Sequence, residues 1–371
     1  MSANTNSTAA LLAAITFGGC FIEQLPNYKD EETGPTGVMP QIRSLVVGAS
    51  TTCAVLMNRT VRCWGNALVG VGGVYGNNTL RPVEVKGFGA NVEALALADG
   101  HGCVLSGGVV SCYGENDQGQ VGNGAMDPSM AAALQPTIGG TGVAQLSIVQ
   151  SRSGARTSSG TVLTWGAGFI GFGAVMPTPV DGVAGATDVS FGDSHNCAVT
   201  GGPVSCWGWN HGGQLGRGTV PTSATIETPA AVVNITDATQ VLAGGISCVV
   251  HTGGTVSCWG MHTSTPATPT LVAGLSGVTK IVGGSQHVCA LTAGSVSCWG
   301  DNTSGQLGLG TGVTSTTSPT MVPGLTDIVE LAGSEYGTCA RAGNGEVRCW
   351  GYNLAGDGSM MGSPVPSLVR W

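Results

Sequence analysis

Apolar and polar positions alternate in short segments that glycine-rich turns interrupt about every 8 to 12 residues, the signature of strands and not of helices. One frame recurs along the chain. An apolar stretch, a glycine and a second short strand lead to a Trp-Gly or Tyr-Gly pair at Trp64, Tyr113, Trp165, Trp207, Trp259, Trp299 and Trp350. The steps between these aromatics are 49, 52, 42, 52, 40 and 51 residues. KIVGGSQHVCALTAGSVSCWG (280–300) and DVSFGDSHNCAVTGGPVSCWG (188–208) show the frame at its clearest. A proline followed shortly by Val or Ile precedes each frame, as at Pro82-Val83 and Pro179-Val180. About four strands fit one unit, so seven units predict an all-β chain folded as a seven-bladed β-propeller. The seventh Pro-Val-type segment, at Pro364, follows the last Trp-Gly unit and has no unit after it. The ring is therefore expected to be closed by the C-terminal strand, which would complete the blade that the N-terminal strands begin.

Upstream of the repeats the pattern changes. The apolar run Ala9 to Ile22 is shorter than the roughly 20 residues of a membrane-spanning helix, but it suits the core of a secretory signal. It contains Phe17-Gly18-Gly19-Cys20, which resembles the lipobox of bacterial lipoproteins, although the segment before it carries no Lys or Arg. The expected organisation is a lipoprotein-type signal peptide over 1–19, lipid attachment at Cys20, a flexible tether over 20–40 and the propeller over 41–371.

Composition narrows the function classes. Glycine supplies 63 of 371 residues, and charged residues make up only 9%. Hydrophobic residues at 42% argue against disorder, and a net charge of −8 argues against a nucleic-acid footprint.

The thirteen cysteines carry more information. Six of the seven units hold two: Cys53 with Cys63, Cys103 with Cys112, Cys197 with Cys206, Cys248 with Cys258, Cys289 with Cys298, and Cys339 with Cys349. A separation of nine or ten around a glycine- or asparagine-bearing turn puts the members opposite each other across a hairpin, where a disulfide can form. The third unit has lost both, with Ala155 and Thr164 read into the two positions, and loss in pairs is what a bridge predicts. Zinc is the rival reading, but there is no CxxC and no tetrahedral set within a unit. Six bridges imply an oxidising compartment: periplasm, cell surface or exterior.

The strings WGWNHGGQLGRGT (207–219), WGDNTSGQLGLGT (299–311) and YGENDQGQVGNG (113–124) resemble the regulator of chromosome condensation repeat. So does the Gly-x-x-His-x-Cys-Ala frame around His195 and His287. The resemblance covers about residues 41–371 and implies the seven-bladed propeller, here in a bacterial, secreted form. The family's nuclear member is a nucleotide-exchange factor for a small GTPase, and secreted relatives include a β-lactamase inhibitor that binds through one propeller face. Units at 65–73, 166–173 and 260–268 lack the Gly-Gln-Leu-Gly turn.

Catalytic motifs are missing, and no carboxylates are read at a fixed repeat position that would converge on the axis, so no enzyme, metal or cofactor is expected. His101, His195 and His287 share one frame position and are expected to bond a neighbouring blade's backbone. Function is expected in the loop tips after each Trp-Gly. The partner-binding candidates are Trp209, Asn210, His211, Met261, His262, Asp301, Asn302 and Tyr352, since aromatics, Met and His in varied loops are the composition of a binding surface. The expected function is an extracytoplasmic, lipid-anchored monomer that binds a protein or glycan through one face. The alternatives are an exchange-type regulator and a structural envelope component.

Overall fold

In the computed structural model the alternating segments form seven four-stranded antiparallel sheets, each with its strands in sequence order. The described residues are 39–65, 79–89, 91–168, 173–221, 226–260, 267–352, 356–359 and 361–371, with backbone alone for 128–132. Cys20 and the signal and tether segments lie outside them, as do Met261 and His262. Met39–Trp371 makes one compact unit.

Blade one consists of Ile42–Val47, Thr51–Leu56, Val61–Gly65 and Thr79–Glu84. Blade seven consists of Ile328–Gly333, Gly337–Ala342, Val347–Gly351 and Ser363–Leu368. The proline-bearing segments are thus the outer strands of their own blades and do not open the next unit. Proline suits that place, because an outer edge needs no further amide donor and is protected from pairing with other chains. The expectation that the C-terminal strand completes the first blade is corrected: it is blade seven's own fourth strand, and blade one already has four. Closure comes from packing. Seven buried apolar clusters occupy the junctions between neighbouring blades, including the one between blades seven and one. At that seam Trp371 meets the edge of Trp64 at 5.7 Å between centroids, and Leu45 N–H donates to Glu330 Oε1 at 2.9 Å.

All six expected cysteine pairs are disulfides between the second and third strands of their blades. Cys53 is bonded to Cys63, Cys103 to Cys112 and Cys197 to Cys206. Cys248 is bonded to Cys258, Cys289 to Cys298 and Cys339 to Cys349. Their Cα atoms lie 4.0–4.1 Å apart, the close approach of directly opposed residues on neighbouring antiparallel strands. In blade three the register sets Gly154, not Ala155, opposite Thr164 in the bridge position. The reason is steric. A Cβ at Gly154 would come within 2.2 Å of the Phe191 ring from blade four, so an aromatic ring fills the space that a cystine takes elsewhere.

The junctions differ in kind. In blades two, four and six the Gly-Gln-Leu/Val-Gly turn sends a main-chain carbonyl into the next blade. Gln120 O, Gln214 O and Gln306 O accept the indole N–H of Trp165, Trp259 and Trp350 at 2.8–2.9 Å. The same carbonyls accept the hydroxyls of Ser153, Ser247 and Thr338. Those hydroxyls lie 2.7, 2.7 and 3.1 Å from Nε2 of His101, His195 and His287. The histidines therefore bond a neighbour's hydroxyl. His101 also bonds the backbone of Gln150 in blade three, as expected, while at His195 and His287 the hydroxyl stands in place of the expected backbone bond. At His195, where the Ser247 hydroxyl donates to the Gln214 carbonyl at 2.9 Å, Nε2 is then the protonated nitrogen. The turn needs its second glycine here: Gly216 has φ +65°, and a Cβ on it would meet Trp259 Nε1 at 2.7 Å. The junction between blades five and six carries Ile246 and Val288 in the corresponding positions, inside one apolar cluster.

Candidate functional site

In every blade the turn after the inner strand lies at the end where the third strand finishes, so one face of the ring carries the inner turns and those loops before the outer strand that are among the described residues. The inner turns surround the axis and line a cavity of about 230 Å³ at its mouth. Aligning the blades on their first bridge position, the residue four before it is Ala49, Asp99, Gln150, Asp193, Gly244, Ser285 and Glu335. Three carboxylates therefore do share a repeat position and converge on the axis, Asp99, Asp193 and Glu335, all lining this mouth. Their scattered appearance in sequence hid them. The signal that would have found them is this single column, read across blades and not along the chain.

The electrostatics reflect the convergence. Burial raises the Asp99 carboxyl above its ordinary value, and the Asp193 charge adds to that. Burial also raises Glu335, with further contributions from Asp193 and Asp99. Ser285 Oγ donates to Asp193 Oδ2 at 2.9 Å, which holds that carboxylate in place across the mouth. Tyr336 donates its hydroxyl to Glu335, and this bond, followed by the carboxylate's charge, pushes the phenol up to about 12. Arg152, buried beside the mouth, interacts with the Asp193 charge and donates to Asp193 O at 3.4 Å, so one cation meets three carboxylates and the balance at the mouth still favours a cation from outside. Among the described residues no group of His, Cys, Asp and Glu is arranged to hold a metal ion.

The loop residues singled out from the sequence divide into two sets. Tyr352 is exposed (53%) and packs edge-on against exposed Tyr336 (41%), with centroids 6.5 Å apart, beside Glu335. Trp209 is half-buried and meets exposed His211 edge-on at 6.4 Å. These four remain available to a partner. Asn210 and Asn302 are corrected: both are buried, and their side chains organise the loops. Asn210 Oδ1 accepts Leu215 N–H at 3.1 Å, and Asn302 Oδ1 accepts Leu307 N–H at 2.8 Å. Asn116 does the same for Val121. Asp301 is likewise spent within its loop, accepting from Thr303 and from Gln306 Nε2 at 2.7 Å. An Asn after the aromatic-glycine pair followed by Gly-Gln-Leu/Val-Gly is thus a turn-building unit, and its repetition in three blades was the clue.

Comparison with known proteins agrees with this architecture. Models of the Regulator of chromosome condensation (RCC1) repeat match residues 278–306 and 293–341. The human E3 ubiquitin-protein ligase HERC2 is 31% identical over 202 residues, which are 48% of this chain and 4% of that protein. The Ultraviolet-B receptor UVR8 of Arabidopsis thaliana is 31% identical over 126 residues, 31% of this chain and 29% of the receptor. The chain thus spans less than a third of the length of either relative. Among solved structures, yeast RCC1 (Prp20) bound to Kap60 superposes with a TM-score of 0.73 at 16% identity, covering 93% of this chain and 90% of that one. The ectodomain of the Arabidopsis receptor kinase ACR4 gives 0.52 at 19% identity, over 85% and 98%. Seven sheets of one topology, the thrice-built Gly-Gln turn and these matches agree: the chain is similar to proteins built of regulator of chromosome condensation (RCC1) repeats, and the repeat itself is matched over residues 278–341.

Proposed function

We propose that this propeller is an extracytoplasmic binding module that takes a basic segment of a partner protein at its acidic mouth. The observation that carries the reading is the convergence of Asp99, Asp193 and Glu335 around one cavity, rimmed by the exposed Tyr336–Tyr352 pair. A Lys or Arg head group fits the carboxylates, while the tyrosine faces suit the alkyl stem or a guanidinium plane. The overall charge of −8 steers such a partner toward the protein at low ionic strength. Yeast Prp20, of the same fold, has been studied for its binding to Gsp1p and histones, and its complex with Kap60 has been solved. Charge favours a protein ligand here over a neutral glycan.

The six disulfides fit an oxidising environment, and no helix among the described residues is long and apolar enough to cross a membrane. Anchoring through lipid on Cys20 accounts for the odd cysteine, and Cys20→Ser should move the protein from the membrane to the soluble fraction. If wild-type protein is already soluble, the anchor is dropped while the binding reading stands.

The test of binding is titration with lysine- and arginine-rich peptides, using acidic peptides as controls. Neutralising all three carboxylates (Asp99→Asn, Asp193→Asn, Glu335→Gln) should weaken basic-peptide binding at least about tenfold and flatten its salt dependence. Unchanged affinity in the triple variant, or no preference for basic peptides, would overturn the proposal.

A further inference from the structure

Blade five carries a hydrogen-bonded chain of three side chains at the end of the blade away from the acidic mouth. Asp237 stands just before the inner strand Ala238–Ala243, His251 ends the second strand Ile246–His251, and Ser257 lies in the third strand Val256–Gly260. Asp237 Oδ1 is 2.6 Å from His251 Nδ1, and His251 Nε2 is 2.9 Å from Ser257 Oγ. A carboxylate only accepts, so the Asp237 contact places the imidazole proton on Nδ1. Nε2 is then left with a lone pair that accepts the Ser257 hydroxyl. This is the orientation in which a histidine serves as general base for a hydroxyl nucleophile.

The backbone holds the three in place. Thr252 N–H donates to Asp237 O and His251 N–H to Thr255 O, both at 2.9 Å, and Gly254 N–H donates to His251 O at 2.8 Å. The repeat itself supplies the controls. Ser111, Ser205 and Ser297 occupy the place of Ser257, directly before the third-strand cysteine. Three residues after the second-strand cysteine those blades carry Ser106, Thr200 and Thr292, where blade five has His251. Only the blade-five serine among these four has an imidazole in that place. The side chains of His251 and Asp237 are 14% and 52% exposed, so the relay opens to solvent at its acidic end. Ser257 is 7% exposed, which restricts its reaction partners to small electrophiles.

We propose that Ser257 is a base-activated nucleophile that accepts an acyl group from small activated esters. Ser257 Oγ attacks the ester carbonyl carbon, and its proton passes to His251 Nε2. The bond to the leaving oxygen breaks, and that oxygen takes the proton from Nε2. The products are the Ser257 ester and the free alcohol, with no oxidant, reductant or further reactant. Asp237 acts as a positioning residue that sets the tautomer.

The experiment uses the full chain with its disulfides intact and 4-nitrophenyl acetate as the probe. Released 4-nitrophenol gives the rate, and peptide mass mapping gives the acetylated residue. The expected result is one adduct per chain at Ser257, formed at least about tenfold faster than at Ser111, Ser205 or Ser297, although those serines are more exposed. Ser257→Ala should lose the burst. His251→Gln should slow it at least about tenfold without moving the melting temperature by more than a few degrees. Asp237→Asn, on a half-exposed carboxylate, serves if His251→Gln does not fold, and it should also slow the burst. Acetylation spread over the four equivalent serines, or a folded His251 or Asp237 variant reacting at the wild-type rate, overturns the proposal.

Discussion

The junction from blade four into blade five and the junction from blade five into blade six are built at the same positions by different physics. The first joins His195, Ser247, the Gln214 carbonyl and the Trp259 indole in one buried hydrogen-bonded set. The second sets Ile246 and Val288 together in an apolar cluster. Either solution leaves no proton donor stranded, and mixing them would. A lone hydroxyl opposite Ile246 would lack a partner, and an apolar side chain opposite His195 would leave its N–H unpaired. At these two junctions the repeat varies by matched pairs, and the polar relay recurs from blades two, four and six, a two-blade period. That period cannot close on seven blades. Blade seven takes the polar contact from blade six, and its Gly356 meets Trp64 of blade one as Gly216 meets Trp259. It has Gly337 where a histidine would stand, and the buried Thr52 hydroxyl opposite has no partner. The seam relies instead on Trp371, Val369 and Glu330.

The largest expected effect comes from the seam. Deleting 363–371 removes blade seven's outer strand together with Val369 and Trp371, and thermal unfolding of the truncated chain should lose its single cooperative transition or shift down by well over ten degrees, on the order of several buried side chains. A melting temperature within a degree or two of full length would show that the seam is closed by other contacts.

Acid comes next, because it acts on the three polar junctions together. Burial lowers His101 and His287 to about 4 and His195 to about 3, from an ordinary value near 6.5. Between these limits the unfolded chain binds protons that the native state refuses. The histidines' contribution to stability is therefore fully present above about pH 6.5 and is lost as pH drops toward 4 and below, while the raised carboxyls of Asp99 and Glu335 oppose part of that loss. Thermal melts at pH 7, 5 and 4 should show this decline, and a flat profile would contradict the neutral relay.

Single-residue effects are smaller. Ser247→Ala leaves His195 Nε2–H without an acceptor and should cost about 1–3 kcal/mol by denaturant unfolding. The corresponding Val288→Ser at the apolar junction should cost about the same, for the opposite reason. Smallest is the coupling. Adding Ile246→His to Val288→Ser should recover about 1 kcal/mol of the summed single costs, and strict additivity would sink the matched-pair account.

The propeller was legible because its signals are local and repeated. Trp-Gly pairs, paired cysteines and proline-bearing outer strands each report on one blade. The candidate site is legible only in part: composition picks out Tyr352, Trp209 and His211, which the structure leaves accessible in varied loops, but it cannot separate them from Asn210 and Asn302, because a polar side chain bonding its own loop has the same composition as one awaiting a partner. After a first step of 49, the steps of 52, 42, 52, 40 and 51 residues alternate with the same two-blade period.

By itself the sequence determined the strand content, the number of blades, the cysteine pairs and the need for an oxidising compartment, since hairpin-scale spacing decides all of these. Only the tertiary structure decided which blade owns the C-terminal strand, where Phe191 replaces a bridge, and which residues meet on the axis. Asp99, Asp193 and Glu335 are separated by 94 and 142 positions and brought to one mouth by ring closure alone. Such contacts depend on the rotation from blade to blade, a geometric property of seven packed sheets that no local pattern along the chain encodes.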